Sequence, residues 1–85
     1  MALRVIWSIA ARADIRAIDR ETAIRLLRAV GRFLETEAGD VRQLEGYESP
    51  LFRLRVGDWR VIYRRAGADR IEIVRVRDRK DAYRR

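Results

Sequence analysis

The stretch Phe52 to Arg65, FRLRVGDWRVIYRR, limits the possible folds of this chain more than any other segment. Apolar and charged residues alternate on both sides of Gly57-Asp58, and a period of two belongs to a β-strand with one buried face. Gly-Asp between two such runs predicts a tight hairpin. With that turn, Val56 stands opposite Trp59, Arg55 opposite Arg60, Leu54 opposite Val61 and Arg53 opposite Ile62. Phe52, Leu54, Val56, Trp59, Val61 and Tyr63 then share an apolar face. Arg53, Arg55, Arg60 and Arg64, with Ile62 among them, share the other. Opposed like charges destabilise a strand pair, and within the hairpin only Asp58 is a nearby acid. The cationic face is either a solvated surface with acids drawn from elsewhere or a surface for an external anion. A phosphate would turn the repulsion into charge-assisted, bidentate hydrogen bonds.

The flanking segments supply what the apolar face needs. Leu3–Ser8 is short, apolar and β-prone, and predicts a first strand. Ser8 is placed to cap a helix over Ile9–Ile18, with Arg12, Asp14 and Arg16 away from its apolar side. Asp19 is placed to cap a second helix, Arg20 to about Glu37, with Gly39 as its terminator. In that helix Ala23, Ile24, Leu27, Val30, Phe33 and Leu34 form one stripe at steps of three and four. Gly31 sits mid-helix, where glycine costs about 1 kcal/mol relative to alanine, and close helix packing is a reason to keep it. A polar link with Gly46 and Pro50 follows. After the hairpin, Ala66–Asp69 forms a second turn and Arg70–Arg77 a last strand. The order β-α-α-β-β-β predicts a single α+β domain over 1–85. Two N-terminal helices pack on one face of a small, mostly antiparallel four-stranded sheet. Trp7 and Trp59 are expected to pack in the core.

Charge is the next constraint. The chain carries 20 Lys+Arg against 13 Asp+Glu, net +7, and Lys80 is its only lysine. Residues 1–46 are close to neutral at +1, whereas residues 47–85 hold +6. Arginine is favoured where forked donors meet phosphate or carboxylate, so a basic half points to a polyanion, most simply nucleic acid. The chain has no cysteine and no histidine. Disulfide, thiolate and serine-triad chemistry are thereby excluded, and a zinc site would rest on carboxylates alone. No paired carboxylates suggest glycosidase chemistry and no glycine-rich phosphate loop is present. No cofactor or metal is expected. Met1–Ala11 lacks the features of a signal peptide and no apolar run is long enough for a membrane span, so a cytoplasmic protein is expected.

The tail continues the basic pattern. Arg75 and Arg77 alternate out of the last strand, and Arg79, Lys80 and Tyr83 follow. Tyr83 either folds back against the core edge or serves as a stacking platform or acid–base hydroxyl beside guanidinium groups. Leu44–Gly46 (LEG), the RVGDWRVIY core of the hairpin, and RKDAY at Arg79–Tyr83 together resemble the RelE/ParE superfamily of type II toxin–antitoxin toxins. The resemblance spans essentially the whole chain. In the RelE branch it implies a ribosome-dependent endoribonuclease that cleaves mRNA in the ribosomal A site, in contact with rRNA. The ribose 2′-hydroxyl attacks the adjacent phosphate without a metal. By resemblance, Arg53 and Arg55 match two basic strand positions that bind the RNA backbone, Arg60 the catalytic arginine after the turn, Arg77 the strand-end arginine, with Arg79 a neighbour that could take that role, and Tyr83 the tail tyrosine. Arg79 and Lys80 are further candidates for RNA binding. Arginine stays protonated and so cannot act as a base, which leaves Tyr83 for proton transfer.

Two positions depart from relatives. Asp78 stands where some carry histidine, and Arg53 and Arg55 stand where lysine is frequent. A cognate antitoxin is the implied partner, added as a helix or strand. The ParE branch, which shares the fold but inhibits DNA gyrase, is the rival reading. A domain that binds nucleic acid without cleaving it is the third.

Overall fold

Ser8 converts a strand into a helix. Strand β1 (Arg4–Trp7) ends just before it and helix α1 (Ile9–Ala17) begins just after it. Its Oγ accepts the Ala11 backbone N–H at 3.0 Å and donates to the Val74 carbonyl at 2.8 Å. Asp19 caps helix α2 (Arg20–Thr36) by accepting the Thr22 N–H at 3.0 Å. Both caps stand where side-chain oxygens can satisfy the first free amides of a helix. The end of α2 differs from expectation. Glu37, not Gly39, takes the left-handed terminal conformation, with φ 56°. The chain is seen in a computed structural model that describes residues 3–78.

Beyond α2 lie β2 (Asp40–Leu44), β3 (Leu51–Val56), β4 (Trp59–Gly67) and β5 (Arg70–Asp78). They form one five-stranded sheet with β1, in the order β1-β5-β4-β3-β2. β1 runs parallel to β5, and the other neighbours are antiparallel. The expected four-stranded sheet is therefore corrected to five strands, the extra one being β2. Its sequence, DVRQL, holds apolar residues only at Val41 and Leu44, three apart, so it shows no alternation. Asp, Arg and Gln add little strand propensity of their own. Pairing with β3 makes it a strand, with Val41 opposite Leu54 and Leu44 opposite Leu51. Among the described residues no helix is long and apolar enough to cross a membrane.

The β3–β4 hairpin has the expected register, Val56 opposite Trp59 through Phe52 opposite Tyr63. Gly57 holds φ 59°, which a two-residue hairpin turn requires at its first position and which costs a glycine nothing. The helices cover the apolar face. Leu54, Val61, Tyr63, Ile71, Ile73 and Val76 of the sheet pack with Ala11, Leu26, Val30 and Phe33 of the helices. Trp7 and Trp59 pack half-buried against this core. Tyr63 lies between two rings, its centroid 5.4 Å from Phe33 and 5.5 Å from Phe52.

That aromatic contact also sets the rotation of α2. The expected stripe included Ile24 and Leu27, yet these are 38% and 45% exposed, and Leu26 is buried instead. The doublets Leu26-Leu27 and Phe33-Leu34 widen the apolar arc, so two stripes satisfy the helical period. Phe33 over Tyr63 selects the one through Leu26. Gly31 faces no neighbour: a Cβ built there meets nothing within 4 Å. The expected close packing at Gly31 is absent.

β1 stops at Trp7, but β5 continues. α1 takes over the open edge. The Ser8 N–H donates to the Ile73 carbonyl at 3.0 Å, and the Asp14 carboxylate accepts the Val76 N–H at 2.8 Å. The same carboxylate takes a forked pair of bonds from Arg75, at 2.8 and 3.0 Å. Asp14 therefore points to the sheet, and its side chain is only 16% exposed. Burial pushes its pKa up. The Arg75 fork, the Val76 amide and the charges of Arg75 and Arg77 together pull it further down, so the net shift is below the ordinary 3.8.

Two outcomes follow. Gly31→Ala is expected to stabilise the protein by about 0.5–1 kcal/mol, raising Tm by several degrees in a thermal melt. Asp14→Asn is expected to lower stability by about 1–3 kcal/mol near pH 7, where the wild-type carboxylate is charged and bonded. A depressed folded-state pKa contributes stability above the unfolded value and loses it as pH falls through the folded value. The gap between wild type and Asp14→Asn should accordingly be flat above about pH 5 and close below about pH 4 in denaturant titrations.

Candidate functional site

The sheet face away from the helices inherits the outward residues of β2 to β5. Cross-strand register arranges them in rows, because opposite residues share a face. One row runs Asp40, Arg55, Arg60, Arg77, and the next runs Arg42, Arg53, Ile62, Arg75. Neighbouring Cβ atoms in such a row are about 4.5–5.5 Å apart. Arginines on three adjacent strands therefore stand side by side at Arg55, Arg60 and Arg77.

The arginines differ in what already holds them. Arg53 is 8% exposed. Its guanidinium donates to the Asp40 carbonyl at 3.3 Å and pairs with the Asp40 carboxylate at 3.5 Å. Arg75 is forked onto Asp14. Arg64 meets Glu72 at 2.7 Å, and Arg65 meets Glu37 at 3.4 Å. Arg55 is exposed, and its Nε donates to the Gly57 carbonyl at 3.2 Å, which holds the side chain beside the turn without neutralising it. Arg60 and Arg77 are half-buried within the sheet face.

The face is thus less purely cationic than its alternation implies. The hairpin supplies few acids, but β2 and α1 bring Asp40 and Asp14 to it. Both were invisible as partners in the sequence, Asp40 because β2 showed no strand pattern and Asp14 because it seemed to lie on the outer side of α1. Arg53, expected to bind RNA, is bonded to Asp40 of the edge strand β2. Arg79, Lys80 and Tyr83 lie outside the described residues. Tyr63 is unsuited to proton transfer on this face: it lies in the helix-side core, where burial pushes its pKa up.

A row of guanidiniums on a rigid sheet is suited to an anion with several oxygens in one plane or tetrahedron. The family comparison bears on which anion. A model for the ParE toxin of type II toxin–antitoxin systems, parDE, matches residues 5–83. The chain belongs to the ParE toxin family. It is a toxin of a type II toxin–antitoxin system within the wider RelE/ParE group.

Solved structures agree on the fold. A chain of the archaeal RelE–RelB complex from Pyrococcus horikoshii OT3 matches with TM-score 0.73 and 26% identity, over 93% of this toxin and 97% of that chain. A chain of the RelBE2 toxin–antitoxin complex from Mycobacterium tuberculosis matches with TM-score 0.79 and 20% identity, over 92% and 99%. One from the RelB–RelE antitoxin–toxin complex of Methanococcus jannaschii matches with TM-score 0.71 and 19% identity, over 92% and 94%. No curated protein sequence matches the toxin.

The two classes of arginine are separable by stability. Arg53→Ala is expected to destabilise the toxin by about 1–3 kcal/mol, because it removes a buried side chain that ties β3 to the Asp40 backbone of β2. Arg55→Ala relieves like-charge repulsion with Arg60 and is expected to stay within about 0.5 kcal/mol of wild type or to stabilise it. Urea unfolding of the two variants measures the difference.

Proposed function

We propose that this toxin is an endoribonuclease that cleaves mRNA in the ribosomal A site and is held inactive by a cognate antitoxin. The observation that carries this reading is the row Arg55, Arg60, Arg77 on the open sheet face. The reaction joins the ribose 2′-oxygen to phosphorus and breaks the bond from phosphorus to the 5′-oxygen. A 2′,3′-cyclic phosphate and a free 5′-hydroxyl result. Negative charge builds on the phosphorane oxygens, where Arg60 and Arg77 stabilise it. Arg55, at the turn, orients the backbone, and Arg79 and Lys80 extend the contact. Tyr83 moves the proton. Arg53 acts one step back, by keeping β2 and β3 in register.

The antitoxin partner is inferred from the relatives, whose solved structures are toxin–antitoxin complexes. Carboxylates of the antitoxin would neutralise the same arginine row. A gyrase-directed toxin is the second reading. It is favoured by the ParE family match and by Ile24 and Leu27, apolar side chains that α2 leaves exposed for a protein contact.

Primer extension on mRNA in a translating extract, with antitoxin-free toxin, tests the choice. Codon-phased cuts are expected. Arg60→Ala and Arg77→Ala should each slow them about 10²–10³-fold, the usual loss of one charge-stabilising donor. Tyr83→Phe should slow them about 10²–10⁴-fold. Intact mRNA together with trapped gyrase–DNA breaks would establish the second reading instead.

A further inference from the structure

A shallow depression of about 350 Å³ lies on the same sheet face, with Tyr47, Ser49, Leu51, Arg64, Glu72 and Val74 on its walls. Leu51 and Arg64 share the parity of Arg55 and Arg60 along their strands, so the depression opens on the arginine side. Arg64 is four residues along β4 from Arg60, about 13 Å away. Tyr47 is the most exposed aromatic of the described residues, at 58%. It follows directly on Gly46, whose φ of 88° turns the chain out of β2 in a way an L-residue adopts only under strain.

The chemistry of this depression differs from that of the row. Glu72 Oε1 neutralises Arg64 at 2.7 Å, and Glu48 adds a further acid to the wall. A phosphate would meet carboxylates here. Leu51 and Val74 supply an apolar floor beside the tyrosine ring. An occupant flat enough to lie on the ring and able to donate hydrogen bonds at its edge suits this lining better than a phosphate does. Carboxylates only accept, and each offers about four acceptor sites, so the Arg64 bond does not exhaust Glu72.

From this we infer that Tyr47, Glu48 and Glu72 form a base-binding subsite that stacks one nucleobase of the RNA and selects bases with an exocyclic amine over uracil. Tyr47 supplies the stacking face. The carboxylates accept from the amine, as they do from cytosine N4 in groove recognition. The subsite rests on the RNA-cleaving reading of the arginine row and adds sequence preference to it: the row holds the backbone, and the depression reads a neighbouring base.

Fluorescence anisotropy with labelled A6, C6 and U6 RNA, on the full-length antitoxin-free toxin, tests it. Wild type is expected to bind A6 and C6 more tightly than U6. Tyr47→Ala should weaken A6 and C6 binding about 5- to 150-fold, the range of a lost base–aromatic stack, while Tyr47→Phe keeps it. Glu72→Gln should narrow the preference against U6. Equal binding by Tyr47→Ala and wild type, with Arg60→Ala impaired, overturns the subsite and leaves the RNA reading standing. A wild type that binds none of the three hexamers overturns the subsite, while the codon-phased cuts in the translating extract decide the RNA-cleaving reading separately. RNA binding retained by Tyr47→Ala together with lost antitoxin binding overturns the subsite too and assigns the surface to a protein.

Discussion

The register of the β3–β4 hairpin is the constraint from which the rest of this structure follows. The two-residue turn at Gly57 fixes which residue stands opposite which, and strand geometry then fixes the side on which each one emerges. A slip by one residue would send Leu54, Val61 and Tyr63 into water and the arginines into the core. The burial of those three side chains and the exposure of Arg55 are thus one fact seen from two sides. Packing of Phe33 on Tyr63 carries the same constraint outward into α2.

Two carboxylates then sort the arginines that the register exposes. Asp40 and Asp14 arrive from opposite margins of the sheet, one on edge strand β2 and one on the helix that closes the edge of β5. Each takes one member of the row containing Ile62, and each also engages backbone or is held beside it. Asp40 and Asp14 thereby join charge neutralisation to edge protection, since an open strand edge invites unwanted pairing. The neighbouring row keeps Arg55, Arg60 and Arg77 side by side on three adjacent strands.

Much of this is legible in the sequence. Alternation around Gly57-Asp58 yielded the hairpin and its register, and Ser8 and Asp19 yielded both helix starts, because those signals are local. Three features were not legible, each for a physical reason. β2 has no hydrophobic period of its own and is a strand only because β3 pairs with it. The buried side of α2 was ambiguous because its apolar doublets satisfy two stripes. The fates of Arg53 and Arg75 depend on acids 13 and 61 residues away in sequence, which no local pattern encodes. The arginine row itself was readable in part: Arg55 opposite Arg60 followed from the turn, whereas Arg77 joined them only through the pairing of β4 with β5.

The strand order has a temporal consequence. β5 is the last strand in the chain but sits inside the sheet, between β1 and β4, and pairs Arg4 with Arg70. Such long-range closure is slow relative to local hairpins, because the intervening chain must be ordered first. During synthesis, at about 5–20 residues per second, β2, β3 and β4 emerge as a meander with one side unpaired until β5 leaves the ribosome. β1 has no place in the sheet before then, and Arg77 has not joined Arg60. The closure of the β5 edge and the completion of the cationic row therefore both wait on the pairing of the last strand.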